Sequence, residues 1–164
     1  MIFKNREDAG QQLARRLAAY AAQNDVVVFG IPRGGVAVAF EVAKKLHAPL
    51  DVFLSRKLGV PCHEEFAFGA IAVGDGRFID EQIVEAAGVS PAQIELITKA
   101  TKERLEQRAL LYRGNRPPHN IHGRKVILVD DGIATGASIY AALHALKQMN
   151  LKKLIIAVPL TLHS

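Results

Sequence analysis

Four short runs of this chain read as strands, the first of them apolar on both faces: "DVVVFGIP" from Asp25, "LDVFLS" from Leu50, "KVILVD" from Lys125 and "KLIIAVP" from Lys153. A strand with one face in water alternates apolar and polar residues. A strand apolar on both faces belongs inside a sheet that is covered on both sides. Stretches with helical spacing separate most of these runs. From about Asp8 to Ala22, Leu13, Leu17 and Tyr20 recur at helical intervals, with Arg15 and Arg16 turned away. From Gly35 to His47 a second helix is expected, with Val36, Ala39, Phe40 and Ala43 on its buried stripe. A third runs from about Thr135 to Met149. Strands alternating with helices predict an α/β fold, a single domain over 1–164 with a mostly parallel sheet and helices on both faces.

The middle is less regular. "FAFGAIAVGDGRFID", from Phe66, reads as two short strands around a "GDG" turn. Ser90 as N-cap and Pro91 at the first helical position open one long helix to about Tyr112. "RGNRPPHNIHGR", from Arg113, reads as a loop. At 164 residues and 49% apolar content the chain can bury a core of its own. The net charge of +5 favours anionic partners without choosing among them. The one cysteine, Cys62, excludes an internal disulfide, which suits a reducing cytoplasm. With only His63 beside it, Cys62 makes neither a nucleophile pair nor a zinc site, and no metal ligand set is expected. The N-terminus has no signal-peptide pattern, and no segment approaches the roughly 20 apolar residues of a membrane span.

A parallel sheet of this kind binds ligands beyond the carboxyl ends of its strands. Three unusual segments leave such ends: "GIPRGG" at 30–35, "SRKLGVPCHEE" at 55–65 and "DDGIATGAS" at 130–138. In the last, Asp130 and Asp131 leave a strand and a turn leads into a helix. The first amides of a helix have no internal partner and attract a phosphate. Gly132 and Gly136 let backbone close around it, and Thr135 and Ser138 offer hydroxyls. The acids need other company: sugar hydroxyls or a hydrated cation. A phosphate at one end and a diol nearby describe a ribose 5-phosphate. An ordinary strand-to-helix turn accounts for the same residues without any ligand. The P-loop and G-x-G-x-x-G patterns are both absent.

"VILVDDGIATGAS" resembles the phosphoribosyl-pyrophosphate motif of the type I phosphoribosyltransferases: four aliphatics, two acids, two variable positions, a small or acidic residue, Thr, Gly and a nearby hydroxyl. The resemblance implies that Asp130 and Asp131 hold the ribose hydroxyls. It gives the 5-phosphate to the loop at Gly132 and Ala134, Thr135, Gly136, Ala137 and Ser138. Where many members carry an acid before the Thr, this chain has Ala134, which weakens general-base chemistry there. "GIPRGG" is similar to the family's pyrophosphate loop, which often includes a strained peptide bond; Arg33, Gly34 and Gly35 would meet the anion. Arg56 and Lys57 are similar to the Arg–Lys pair with which orotate phosphoribosyltransferases hold the leaving pyrophosphate, beside a loop 57–66 that closes. Solvated surface charge is the other reading of that pair. It is the preferred one for His63, and a strand cap is preferred for Glu64 and Glu65.

With "RKLG…EFAFGA", the resemblance extends over most of the chain, to an uncharacterised bacterial branch of the family. It implies an enzyme that binds Mg²⁺-phosphoribosyl pyrophosphate, with Mg²⁺ carried mainly by the substrate. The phosphoribosyl group passes to a nitrogenous base with release of pyrophosphate. Arg33, Arg56 and Lys57 are the expected catalytic cations. A homo-oligomer is expected. Family members usually continue past "IIAVP", so the C-terminal part of the fold is expected to be cut short, leaving the base-binding end open. A module that senses phosphoribosyl pyrophosphate or a nucleotide without turnover is the alternative. An RNA-binding regulator would use Lys99, Lys102, Arg104, Arg108 and Arg113. RNA is not expected, because no aromatic-bearing strand accompanies those charges.

Overall fold

The computed structural model describes residues 3–74, 76–133 and 137–159. Its strands and helices fall into two compact units. The first holds α1 (Arg6–Arg16), β1 (Val26–Gly30), α2 (Gly34–Leu46), β2 (Leu50–Val52), β6 (Lys125–Val129) and β7 (Lys153–Ala157). The second holds β3 (Ser55–Val60), β4 (His63–Ala72), β5 (Arg77–Ile79), α3 (Glu81–Ala87), α4 (Pro91–Arg113) and α5 (Ala137–Lys147).

In the first unit the four expected runs form one four-stranded sheet in the order β2-β1-β6-β7. Every pairing in it is parallel. β1 and β6 pair along their whole length, from Val26 opposite Lys125 to Gly30 opposite Val129. All five residues of β1 are buried, as a run apolar on both faces requires. Helix α2 lies on this sheet through Val38, Ala39, Val42, Ala43 and Leu46. That corrects the expected stripe by a partial turn: Phe40 is exposed and Val36 only half-buried. Helix α1 starts two residues earlier than expected, because Asn5 accepts from the Asp8 amide as its N-cap. It ends at Arg16 and passes into a single 3₁₀ turn at Ala18–Tyr20.

The expected second strand, Leu50–Ser55, is divided. Phe53 donates its amide to Gly30, while the Leu54 carbonyl accepts from Val73, so the chain changes sheets between the two. From Ser55 it enters the three-stranded antiparallel sheet β3-β4-β5 of the second unit. Two corrections to the expected layout lie here. Arg56 and Lys57 stand inside β3 and do not form a loop after β2. The segment 57–66 is the rest of β3, a turn at Pro61–Cys62 and the start of β4, so it is hairpin backbone and not a free lid. The pair of strands around Gly74 and Gly76 is present, though β4 begins as early as His63. Helix α5 packs on β3, β4 and β5 of this unit. Helix α4 opens with the expected Ser90 cap and Pro91, completed by a reciprocal bond between Gln93 and the Ser90 backbone. Helix α3, unforeseen, is capped by Asp80 and stopped by Gly88 in the left-handed region.

The loop before β6 is tied back to β2 by a buried carboxylate. Asp51 accepts from the His119 amide at 3.0 Å and from the Val52 amide at 2.7 Å. Removing the acceptor takes away both bonds to a carboxylate that is only 6% exposed. Asp51→Ala is therefore expected to cost about 1–3 kcal/mol. Urea denaturation checks this: the midpoint should fall with the slope unchanged.

Candidate active site

The parallel pairing of β1 with β6 brings both strand exits to one level. The Ile31 amide continues the ladder to the Val129 carbonyl at 2.9 Å, and the Asp130 amide reaches Ala157 at 3.4 Å. Beyond this point "GIPRGG" and "VDDG" share one corner of the first unit. The bond between Pro32 and Arg33 is cis. Arg33 is exposed, and α2 begins directly after it at Gly34.

The two glycines are there because of the acids. A Cβ on Gly34 would overlap the Asp131 carboxylate. A Cβ on Gly35 would stand 2.8 Å from the Val129 carbonyl oxygen and 2.9 Å from the Asp130 Cα. Real Cβ atoms do not come so close to backbone, so only glycine permits this approach. No side chain caps the N-terminus of α2 among the described residues. Its first amides remain available to an anion, and their partial positive charge stands beside two carboxylates.

The acids differ in their surroundings. Asp130 is half-buried, and its Oδ1 accepts from the Asp131 amide at 2.8 Å. Burial, and to a lesser extent the neighbouring Asp131 charge, push its carboxyl above the ordinary range, against the relief from that amide. Asp131 is held by Arg6, from the first turn of α1. Arg6 Nε donates to Asp131 Oδ2 at 2.9 Å, and Nη2 stands 2.8 Å from the same oxygen. Nothing in "KNREDAG" announces this contact, because its partner is 125 positions away.

The structure thus brings Gly34, Gly35, Asp130 and Asp131 together, with Arg33 next in the chain. Gly132 follows in the same corner, half-buried. Ser138 is in the first turn of α5, in the second unit. Ala134, Thr135 and Gly136, and the side chain of Ala137, lie outside the described residues. Arg56 and Lys57 belong to the second unit, both on β3, beside a cavity of about 490 Å³ that Leu96, Ile97 and Arg104 of α4 also line. Glu64 lines the same cavity, and His63 and Glu65 are exposed on β4. Among the described residues no three of His, Cys, Asp and Glu gather as a metal site, and no helix is long and apolar enough to cross a membrane.

The raised Asp130 carboxyl carries a stability consequence. The native state binds the proton more tightly than the unfolded chain, so stability falls as pH rises from the ordinary value of 3.8 through the raised one. Asp130→Asn removes the charge that burial penalises. It is expected to raise the thermal midpoint of the unliganded protein at pH 7 by about 1–4 °C. The advantage should vanish below pH 3.8, where both forms are neutral. Thermal scans of both proteins across that range check it.

The family model for the phosphoribosyl transferase domain matches residues 1–164. A Mycobacterium tuberculosis H37Rv protein, provisionally named a phosphoribosyl transferase, is 44% identical over 159 residues, which is 97% of this chain. The chain spans only 36% of that relative's length. The crystal structure of TT1426 from Thermus thermophilus is 40% identical, with a TM-score of 0.85 over 98% of this chain and 76% of that one. A purine phosphoribosyltransferase from Pyrococcus horikoshii shares the fold at 18% identity, with a TM-score of 0.50 over 95% of this chain and 72% of that one. Motif, strand exits and relatives converge on one conclusion: the chain belongs to the phosphoribosyl transferase domain family.

Proposed function

We propose that this chain binds Mg²⁺-phosphoribosyl pyrophosphate at the β1/β6 corner and transfers the phosphoribosyl group to a nitrogenous base, releasing pyrophosphate. The carrying observation is the packing of Asp130 and Asp131 against Gly34 and Gly35. It sets two acceptors for a diol beside a helix start that no side chain caps among the described residues. Asp130 and Asp131 take the ribose hydroxyls and hold the sugar in place. The segment 132–138 is proposed to take the 5-phosphate, with Gly132, Ala134, Thr135, Gly136, Ala137 and Ser138 as its expected contacts. The Gly34 and Gly35 amides and Arg33 take the pyrophosphate. Arg56 and Lys57 are the further cations proposed for the leaving group, whose charge grows as the bond to C1 of the ribose lengthens.

The residues fit a cation carried in by the substrate. Asp130 and Asp131 offer hard oxygen donors, too few for a cage, and Mg²⁺ favours that arrangement of few carboxylates, phosphates and retained water. When bound, Mg²⁺ would neutralise part of the departing pyrophosphate's charge. The acceptor is a nitrogenous base whose identity the phosphoribosyl corner does not set.

Calorimetric titration with phosphoribosyl pyrophosphate and Mg²⁺ is expected to give binding well below millimolar. Replacing Asp130 and Asp131 together by Asn should weaken it at least tenfold, since each loses charged hydrogen bonds of about 1.5–3 kcal/mol. Chelating Mg²⁺ should weaken it as well. A panel of purine and pyrimidine bases, read by pyrophosphate release, then tests transfer. The absence of binding at millimolar ligand ends the proposal; binding without release with any base leaves a sensor of the sugar.

A further inference from the structure

The Arg6–Asp131 pair is not accounted for by the family motif or by the needs of α1. Arg6 opens α1, in the turn where the helix's own partial positive charge disfavours a cation. Its guanidinium sends both Nε and Nη2 to one oxygen, Asp131 Oδ2. The Arg6 side chain is 62% exposed, so a bridge of this kind adds little to folding. Its effect is on where the carboxylate stands. Oδ2 is drawn into the space that a Cβ on Gly34 would fill, while Nε and Nη2 leave Oδ1 to other donors.

On the proposed reading of the site, we infer that Arg6 is a positioning residue for sugar binding. It pins Asp131 by Oδ2 and so reserves Oδ1 as the acceptor for a ribose hydroxyl. A carboxylate already fixed in one rotamer loses less freedom when the sugar arrives. For one side chain that saving is worth about a 3–10-fold gain in affinity.

Three probes separate this role from others: ribose 5-phosphate, phosphoribosyl pyrophosphate with Mg²⁺, and pyrophosphate with Mg²⁺. Arg6→Ala is expected to weaken both sugar ligands by the same factor of about 3–10, leave pyrophosphate unchanged and keep the thermal midpoint within about 2 °C. Arg6→Lys, with a cation but no fork, should recover part of the loss, and Arg6→Gln less. In an Asp131→Asn background Arg6→Ala should add less than twofold, because the atom it positions has changed. Unchanged or tighter sugar binding in Arg6→Ala overturns the proposal, the tighter result marking Arg6 as a plug. Parallel loss of pyrophosphate binding overturns it in favour of a direct phosphate contact. A full additional loss in the Asp131→Asn background also overturns it. Failure of the parent protein to bind either sugar ligand would instead remove the functional reading itself, and Arg6's role with it.

Discussion

Everything at the candidate site depends on how β1 and β6 are paired. Their parallel register carries five residue pairs without a bulge and ends with Gly30 opposite Val129. The next amide, from Ile31, still bonds to Val129. Because of this, two loops far apart in sequence leave the sheet at the same level and in the same direction. The glycines then decide how near they come. A Cβ on Gly35 would meet the β6 backbone, and one on Gly34 would displace the Asp131 carboxylate. The sheet supplies alignment, and the missing side chains supply proximity. Neither is sufficient alone.

The parts of this arrangement visible in the sequence are those with local causes. β1 and β6, the two inner strands, are legible because a strand buried on both faces must be apolar, and that pattern is read within five positions; β2 and β7 end the sheet's order and are buried less completely. The acids and glycines after Val129 form a contiguous motif, so this corner is legible without any knowledge of contacts. Ser90 and Pro91 announce α4 for the same reason. What escaped has distant causes. Phe40 carries the right spacing for the buried stripe of α2 yet is exposed, because α1 and the sheet take the neighbouring face through Val38, Val42 and Leu46. Helix α3 is seven residues with no fully buried side chain, too short for its period to stand out. Arg6 meets Asp131 only after the whole first unit has closed.

Arg56 and Lys57 show the other way in which local reading fails. An apolar run followed by two cations looks like a strand ending at a loop. Nothing in "VFLSRKLG" marks that the chain leaves one sheet after Phe53 and joins another of opposite pairing sense. The switch is marked by two backbone bonds, Phe53 to Gly30 and Val73 to Leu54, and backbone bonds carry no sequence signature. The two cations are consequently side chains of a hairpin, placed by cross-strand neighbours Ile71 and Ala70 and not by a turn. Cations fixed on a strand are more firmly aimed than cations on a loop.

Three features of the first unit are unfavourable when each is taken by itself. Two glycines open a helix that would be more stable without them. An arginine occupies the turn of α1 where the helix field opposes a cation. A carboxylate at Asp130 is half-buried beside a second one, with its proton held more tightly as a result. A fold under no other demand would have little reason to keep any of them. Yet they are not scattered: Gly34 abuts Asp131, Gly35 abuts Asp130, and Arg6 grips Asp131. Local conflicts that meet at one point indicate a demand that the polypeptide alone does not impose. On the proposed reading, a diol with an anion attached would meet that demand: its hydroxyls would satisfy the acids and its phosphates the uncapped amides. One ligand would then give all three anomalies a single cause.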